Sequence, residues 1–433
     1  MESSFGVGFS EKKDPFLAAS EAAKLALYQI HHRPVSFGFL FSTIHFAQAR
    51  LLEGLHYALG ATKIIGCTGS AVITGDGIHK YGVGLMLVSS DKVKFGRAVK
   101  TGIRGQSARA AGEEFARLAL KDLNLSHKDL ALIFSDGIIE NGSDLLKGIK
   151  DVLGLSFPIM GASSGDNFCF RKTYQYFDET LLTDSVVGMI FSGENNFGIG
   201  LRHGWKPLGR PHTITDVKGN LIQTIENKPA VSIYEEYFGK SRQEIEKTLI
   251  ETSIYYPLGL YVPGETEYLL RNVLRIDENG GLLCQGDATA GSEVRLMMGT
   301  KDWALEAASQ ASQEAKEALK GQAAKGLLVF ESVSRNKLLG RLTEKELSRI
   351  KTDAGHCPLL GLCTYGEQAP LKSLEHYGET YFHNETLAIL AFGEPHTSEK
   401  QMLEERRIHE RRTYERRATG DMNGTISNSS KPL

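Results

Sequence analysis

The sequence predicts an α/β protein built from layered helices and sheets, with internal repeats and two lobes. Short apolar runs of four to eight residues lie between helical segments, which is typical of strands buried on both faces. The order helix, strand, helix, strand recurs three times along the chain, and this order favours a layered fold. With 41 % hydrophobic and 24 % charged residues among 433, the chain can form large cores.

The three copies carry the same signals in the same order. The first copy has a helix over 15–30, a strand over 35–42, a helix over 47–59 and strands over 63–69 and 82–89. The second has a helix over 107–123, a strand over 130–135, a helix over 142–153 and strands over 158–165 and 185–192. The third has a helix over 303–319, a strand over 326–332, a helix over 344–352 and strands over 358–364 and 386–392. A polar residue found in only one copy is therefore a better functional candidate than one found in all three.

One glycine recurs just after an inner strand in each copy, at Gly66, Gly161 and Gly361. Glycine lacks a side chain, and it suits turns and places where two backbones meet closely. The sequence predicts a turn just past each inner strand at these positions, with the backbone close to another group.

The remainder of the chain has a different composition. Between copies two and three, roughly 212–300, tyrosines are frequent, and we expect short strands with one helix over 241–250. From 395 the chain is densely charged, which predicts a helix over 398–418 followed by a disordered polar end. These changes divide the chain into 1–211, 212–394 and a tail over 395–433.

Composition narrows the functional classes. A net charge of −2 gives no general attraction to nucleic acid or to an anionic membrane. The first residues show no signal-peptide pattern, and no apolar run approaches the roughly 18–20 residues of a membrane helix. Five cysteines without a C-x-x-C spacing indicate reduced thiols rather than disulfides or structural zinc. We therefore expect a soluble cytoplasmic protein that binds neither nucleic acid nor membrane.

Motifs in the third copy resemble those of the FIST C-terminal domain. They are Phe330-Glu331-Ser332-Val333-Ser334-Arg335, Pro358-Leu359-Leu360-Gly361, Thr364-Tyr365-Gly366-Glu367 and Phe382-His383-Asn384-Glu385-Thr386-Leu387. The segment over 39–205, with Gly66-Cys67-Thr68-Gly69, resembles the FIST N-terminal domain. The resemblance makes 1–211 the N-terminal sensory domain and 212–394 the C-terminal domain.

The resemblance implies signal transduction. Such modules sense small ligands, with amino acids among those proposed, and some members bind haem and report nitric oxide. Many members have a cysteine where this chain has Ser332, so thiol chemistry at that position is not expected here. No output domain is recognisable in the chain. We therefore expect the signal to pass to a separate protein such as a kinase or cyclase, with the charged tail docking that partner or forming a homodimer.

Arg335 and Glu367 are the first candidate ligand-binding residues. Each follows an inner strand of the third copy. A guanidinium matches a ligand carboxylate and a glutamate matches an ammonium group, so together they suit an amino acid. The same residues leave open a purely structural ion pair between Arg335 and Glu367. We expect a pocket at the carboxyl ends of the inner strands. The candidate wall residues are Tyr234, Tyr365, Arg335, Glu367, His383 and Asn384.

His383 has two interpretations. A histidine at a corner before a strand commonly satisfies a backbone group. If haem is bound, its imidazole is the natural axial ligand.

Two enzyme interpretations are weaker. Ser163 lies in a G-x-S-x-G sequence over 161–165, but that elbow requires a helix directly after the serine. Alternation over 167–177 predicts strands there instead. Cys67 could be a nucleophile, but the sequence shows no histidine paired with it. No enzymatic activity is therefore expected, and a thiol or serine enzyme stays the alternative.

Overall fold

A computed structural model describes residues 3–139, 141–193, 196–372 and 377–394. These residues belong to one compact unit, 1–394. The predicted charged helix and disordered end lie outside the described residues. Within the described ranges, no helix has the length and apolar character needed to cross a membrane.

The predicted helices of the three copies are confirmed to within a few residues at their ends. They begin where side chains satisfy free N–H groups: Asp14, Ser107 and Thr300 each accept a hydrogen bond from a backbone N–H of the first turn. The helices are α1 Pro15–Gln29, α2 Gln48–Leu59, α3 Ala108–Leu123, α4 Gly142–Leu153, α5 Ser232–Phe238, α6 Arg242–Lys247, α7 Leu249–Tyr255, α8 Lys301–Glu317, α9 Val333–Leu339 and α10 Thr343–Ala354, with a 3-10 turn over Gly340–Leu342.

The strands include all the predicted apolar runs and several that were not predicted. In the first two copies they are β1 Ser4–Ser10, β2 Phe37–Thr43, β3 Ile64–Gly69, β4 Ala71–Thr74, β5 Gly77–His79, β6 Val83–Ser89, β7 Lys94–Thr101, β8 Leu130–Ser135, β9 Ile159–Ser163, β10 Gln175–Phe177, β11 Thr180–Leu182 and β12 Ser185–Ser192. The remainder are β13 Phe197–Arg202, β14 Trp205–Lys218, β15 Leu221–Ile225, β16 Lys228–Pro229, β17 Leu258–Leu260, β18 Leu269–Arg271, β19 Val273–Ile276, β20 Leu282–Cys284, β21 Glu293–Gly299, β22 Gly326–Ser332, β23 Leu359–Thr364, β24 Gly366–Lys372, β25 Tyr377–His383 and β26 Leu387–Phe392.

Three sheets share one topology, which confirms a layered α/β fold with internal repeats. Their strand orders are β1-β6-β2-β3-β10-β11, β7-β12-β8-β9-β24-β25 and β13-β26-β22-β23-β4-β5. In each sheet the third and fourth strands are parallel and all other neighbours are antiparallel. The first strand of each copy had no sequence signal that we recognised.

Each copy gives a hairpin to the sheet of another copy. The hairpin β4–β5 of copy one completes the sheet of copy three, β10–β11 of copy two completes that of copy one, and β24–β25 of copy three completes that of copy two. The two expected lobes therefore share sheets, and the expected boundary at 211/212 falls within β14.

The three sheets meet in a common apolar core. Phe41, Phe134 and Phe330 occupy corresponding positions in β2, β8 and β22, and their ring centroids form a triangle with sides of 5.3, 5.7 and 6.0 Å. On the other face, each sheet packs against its own helices over a separate cluster that includes the alanines of α1, α3 or α8. The molecule thus has an approximate threefold arrangement with the phenylalanine triangle at its centre.

The recurring glycines bring parallel strands together, and the predicted turns at these positions are wrong. Gly66, Gly161 and Gly361 lie inside β3, β9 and β23. A Cβ atom at each would lie closer than 3.0 Å to a backbone carbonyl oxygen of the neighbouring parallel strand, that of Leu40 in the first copy. The expected close approach of the backbone is therefore present, but the chain continues as a strand.

We expect Gly66→Ala to lower the free energy of unfolding by about 2–3 kcal/mol, because the added methyl group forces the backbones of β2 and β3 apart. Gly75→Ala is the matched control, since no atom lies within 4 Å of the added Cβ, and its effect should stay within about 0.5 kcal/mol. Urea unfolding followed by circular dichroism measures both. Equal stability of the two variants would contradict this role for Gly66.

The tyrosine-rich segment is an insertion between β13 and α8 of copy three. It forms an eight-stranded sheet, β18-β17-β21-β14-β15-β20-β19 with β16 beside β15, together with α5, α6 and α7. The single predicted helix over 241–250 is wrong, because Thr248 leaves helical geometry at φ −121° and separates α6 from α7.

Candidate ligand-binding cavity

A cavity of about 460 Å³ lies at the carboxyl ends of inner strands from two copies. Copy two contributes the residues that follow β8 and β9, copy three those that follow β22 and β23, and the insertion forms the remaining walls. The lining residues are Gly137, Ile138, Ile139, Phe168, Phe170, Asn220, Ile250, Ser253, Ile254, Asn272, Val273, Leu274, Arg275, Leu283, Gln285, Val333, Ser334 and Tyr365.

The cavity lies where the threefold pattern is broken. In copies one and three a single residue, Ser70 or Tyr365, separates the second inner strand from the first strand of the hairpin. In copy two the corresponding connection is the longer segment 164–174. This connection and the insertion of copy three are the two large departures from the repeat among the described residues, and both line the cavity.

Asp166 organises the connection in copy two. Its carboxylate accepts hydrogen bonds from the backbone N–H groups of Phe170, Arg171 and Lys172 at 2.7–2.9 Å and from the Tyr365 hydroxyl. Burial alone would raise the pKa of Asp166, but these donors outweigh it and hold the pKa below its usual value. Phe168 and Phe170 have positive φ angles of 61° and 50°, so the carboxylate maintains a strained backbone.

Aromatic rings form one wall of the cavity. Phe170 stacks on Tyr365 with centroids 4.7 Å apart and an interplanar angle of 22°. Phe168 lies 6.3 Å from the same ring, and the Lys337 ammonium lies 5.8 Å from the Phe168 ring. Phe168 and Phe170 are 37 % and 43 % exposed, so a ligand could cover apolar surface that now faces water.

Polar groups converge at the buried end of the cavity. Asn272 donates from Nδ2 to Ser334 Oγ at 3.3 Å, whereas its Oδ1 has no hydrogen-bond partner among the described residues. Glu385 lies behind this pair and is fully buried. Neither Asn272 nor Ser334 completes a hydrogen bond of good geometry with the Glu385 carboxyl. Unsatisfied buried acceptors are costly, so this end suits a ligand that brings donors.

Arg335 is buried behind the cavity wall, so the expected contact with a ligand carboxylate is not present in the structure. Its Nε and Nη2 lie 3.0 and 2.6 Å from Glu346 Oε1. Its Nη1 donates to the His203 carbonyl at 2.5 Å, and Nη2 also donates to the Ala304 carbonyl. The alternative of an ion pair was the better interpretation, but the partner is Glu346 and not Glu367.

Glu367 is also enclosed. Its carboxylate accepts hydrogen bonds from the hydroxyls of Thr364 at 2.6 Å and Thr386 at 2.7 Å. Burial raises the pKa of Glu367 to about 8, although both hydroxyls act in the opposite direction. Glu367 does not line the cavity, so the expected contact with a ligand ammonium is not present in the structure.

His383 satisfies a backbone group, the commoner of its two interpretations. Its Nε2 lies 3.0 Å from the Ala369 carbonyl, and burial lowers the pKa of His383 to about 3. The ring is 1 % exposed, so the surrounding residues do not fit a haem at this position. Within the described ranges, no group of three or more His, Cys, Asp or Glu side chains could hold a metal ion.

The other expected wall residues differ in whether they line the cavity. Tyr365 lines the cavity as predicted. Asn384 does not line the cavity, but its Oδ1 accepts a hydrogen bond from the backbone N–H of the lining residue Asn272 at 3.3 Å. Tyr234 is buried in the insertion and donates its hydroxyl to the Tyr256 carbonyl at 2.9 Å, away from the cavity lining.

The two candidate nucleophiles are enclosed. Cys67 is fully buried, and this burial raises the pKa of its thiol far above the usual value. Ser163 contacts Ser135 Oγ at 3.2 Å and receives a hydrogen bond from Gln368 Nε2 at 3.1 Å. No helix follows Ser163, as expected. Of the alternating region over 167–177, only 175–177 forms a strand, because Asp166 holds the preceding residues in turns.

The sequence-based reasoning missed most of the cavity wall. Ser334 lies beside Arg335 in a motif that resembles the FIST C-terminal domain, and Phe168 and Phe170 lie in the segment predicted to form strands. Neither signal indicated a ligand contact. Asn272 and Arg275 lie in the insertion, where no repeat was available for comparison.

A second cavity of about 350 Å³ lies between Trp303 and the His203–Glu267 pair, whose Nε2 and Oε2 atoms are 2.7 Å apart.

Comparison with known proteins agrees with the order of the two segments. A family model described as the FIST N domain matches residues 36–228, and one described as the FIST C domain matches 230–370.

Related chains are uncharacterized proteins. One from Mycobacterium tuberculosis (strain CDC 1551 / Oshkosh) is 26 % identical over 397 residues, which cover 89 % of this chain and 99 % of the relative. One from Mycobacterium bovis is 26 % identical over 406 residues, covering 89 % and 98 %. Among solved structures, cyanuric acid hydrolase from A. caulinodans covers 90 % of this chain and 99 % of its own, at 9 % identity and a TM-score of 0.38, and these values carry no inference about this chain. With both domain models matched in order along most of its length, the chain belongs to the FIST family of signal-transduction sensory proteins.

Proposed function

We propose that the protein is an intracellular sensor that binds a small amphipathic ligand, of amino-acid type, in the cavity between copies two and three. The observation that carries the proposal is the location of the cavity at the two departures from the threefold repeat. The repeat builds the scaffold three times, and the long connection and the insertion, which depart from it, together enclose this space.

The chemistry of the cavity supports a small ligand. Its volume of about 460 Å³ lies within the range of about 300–1,000 Å³ typical of ligand pockets. Aromatic and aliphatic side chains form most of the walls, and a few polar groups converge at one end. Arg275 is the one charged residue in the described lining. It lies on the exposed side of β19, where it could attract a ligand carboxylate.

The route of the signal is also a proposal. The long connection belongs to the N domain and most of the insertion to the C domain, so a ligand between them would change how tightly they pack. A separate kinase or cyclase, or a second copy of the chain, would read that change. Membership of a sensory family favours this route over an enzymatic one. Haem ligation through His383 is not supported, because His383 is enclosed.

The test is a thermal-shift screen of amino acids and their amine and acid analogues. We expect a ligand at a hundred times its Kd to stabilise the protein by about 2.7 kcal/mol. Leu274→Trp should abolish this stabilisation, since Leu274 is partly exposed in the cavity wall and a larger ring there fills the space.

Leu125→Trp is the matched control, because Leu125 is similarly exposed and lies outside the cavity. It should keep the full ligand-induced shift. If Leu274→Trp also kept the shift, the ligand would bind elsewhere and the proposal would be wrong.

A further inference from the structure

We propose that the buried end of the cavity is a recognition site for a protonated amine, in which Asn272 Oδ1 and the Ser334 hydroxyl accept hydrogen bonds from the ammonium group and the enclosed Glu385 carboxylate behind them supplies the opposing charge. This inference rests on the proposed function and adds which chemical group of the ligand is recognised. It concerns three residues that the sequence did not single out as ligand contacts.

Asn272 presents a fixed and unused acceptor. Its backbone N–H is held by Asn384 Oδ1 at 3.3 Å, and its Nδ2 donates to Ser334 Oγ at 3.3 Å. These two contacts direct the amide so that Oδ1 has no partner among the described residues, although Asn272 is only 9 % exposed. Asn272 lines the cavity, and its Oδ1 is the buried acceptor without a partner among the described lining residues; because that oxygen has almost no exposed surface, ligand contact requires the amide to turn.

Glu385 supplies a second unused acceptor behind the first. It stands at the corner before β26 with φ +58°, a conformation uncommon for a residue with a side chain. Both carboxyl oxygens lack hydrogen-bond partners among the described residues, and the side chain is fully buried beside Asn272 and Ser334. Asn272 and Ser334 lie close enough to lower its pKa in part, but a fully buried glutamate without a completed hydrogen bond is a candidate for function rather than for stability.

The charges around Glu385 leave it without a cation of its own. Glu367 and Arg335 are the charged or titratable side chains that act on it. The Arg335 guanidinium is committed to Glu346 and two carbonyl groups. Burial, with Glu367 nearby, raises the pKa of Glu385 well above its usual value, although Asn272, Ser334 and Arg335 act in the opposite direction, and this shift favours the neutral acid in the empty site.

An ammonium group matches this arrangement. It carries three donors and no acceptor, and the site offers acceptors at Asn272 Oδ1, Ser334 Oγ and Glu385. Its positive charge favours the ionised form of Glu385, so amine binding should release a proton at neutral pH. A carboxylate at the same end would face the unsatisfied Asn272 Oδ1 and would oppose the ionisation of Glu385. A carboxylate on the ligand would instead lie toward Arg275 at the exposed side.

The experiment is calorimetric titration of the full chain with three probes that share one aromatic body: phenethylamine, phenylalanine and 3-phenylpropanoate. We expect both amines to bind at least ten times more tightly than 3-phenylpropanoate. Titrations in two buffers of different ionisation enthalpy should show proton release with the amines. Glu385→Gln should weaken amine binding at least tenfold and abolish proton release, because glutamine cannot ionise.

Glu385→Gln should fold normally, since glutamine has nearly the shape of the neutral acid. Glu344→Gln, at an exposed position on α10, is the matched control and should change neither affinity nor proton release. Tighter binding of 3-phenylpropanoate, or amine binding unchanged in Glu385→Gln, would overturn the inference. A ligand from the screen that has no amine, and whose binding is abolished by Leu274→Trp, would overturn the amine-recognition inference but leave the proposed function intact. Ligand binding unaffected by Leu274→Trp would instead remove the proposed function.

Discussion

Arg335→Ala should lower the free energy of unfolding by about 3–5 kcal/mol, which is a large part of the total for most domains. Arg335 is completely buried, and its guanidinium ties Glu346 of α10 to the carbonyl groups of His203 and Ala304. Removing it leaves these acceptors without donors. The substitution also affects Glu331, which lies against Glu346. Burial and Glu346 raise the pKa of Glu331, and the positive charge of Arg335 partly offsets this shift.

Urea unfolding of Arg335→Ala, beside Arg341→Ala, checks this prediction. Arg341 is exposed six residues further along the chain, and its replacement should change stability by less than about 0.5 kcal/mol. The ligand-binding role that the sequence suggested for Arg335 would give a different result, an intact fold with ligand binding abolished. Stability equal to that of the wild type would restore that interpretation.

Asp166→Ala should release the connection over 164–174 and remove ligand binding, with a loss of about 2–3 kcal/mol in stability. Three backbone N–H groups and the Tyr365 hydroxyl lose their acceptor, and the positive-φ residues lose the contact that holds them. Arg171 and Lys172 lie in this connection, so limited trypsin digestion should cleave there much faster than in the wild type.

The same carboxylate has a predictable pH dependence. Because the pKa of Asp166 is below that of the unfolded chain, the contribution of this carboxylate to the free energy of unfolding is fully present above about pH 4 and is lost as pH falls through the folded pKa.

Asp76→Ala, at an exposed turn, is the control for the digestion experiment and should leave trypsin sensitivity at 171–172 unchanged. Resistance of Asp166→Ala to trypsin at these positions would show that other contacts hold the connection.

Local patterns were sufficient for the helices and inner strands, because burial on both faces leaves continuous apolar runs such as that of β22. They were insufficient for the exchanged hairpins. The strands β4 and β24 lie next to β3 and β23 in sequence, but their pairing partners belong to other copies. Such long-range pairing depends on the tertiary arrangement and leaves no periodic signal in the strand itself.

The candidate site was predicted in position but not in composition. Repetition placed it at the carboxyl ends of inner strands, and Tyr365 is there. Arg335 seemed available because it follows β22, yet its partners come from distant segments: His203 precedes the insertion, Ala304 lies on α8 and Glu346 on α10. Asn272 becomes a cavity residue only when the insertion folds back over copies two and three, which no local pattern records.

The most direct test of the central claim is a crystal structure of the protein with the best amine-bearing ligand from the screen. We expect the ligand between Phe170, Tyr365 and the insertion, with its nitrogen about 3 Å from Asn272 Oδ1. Ligand bound in the second cavity beside Trp303, with the space around Asn272 unchanged, would contradict the account.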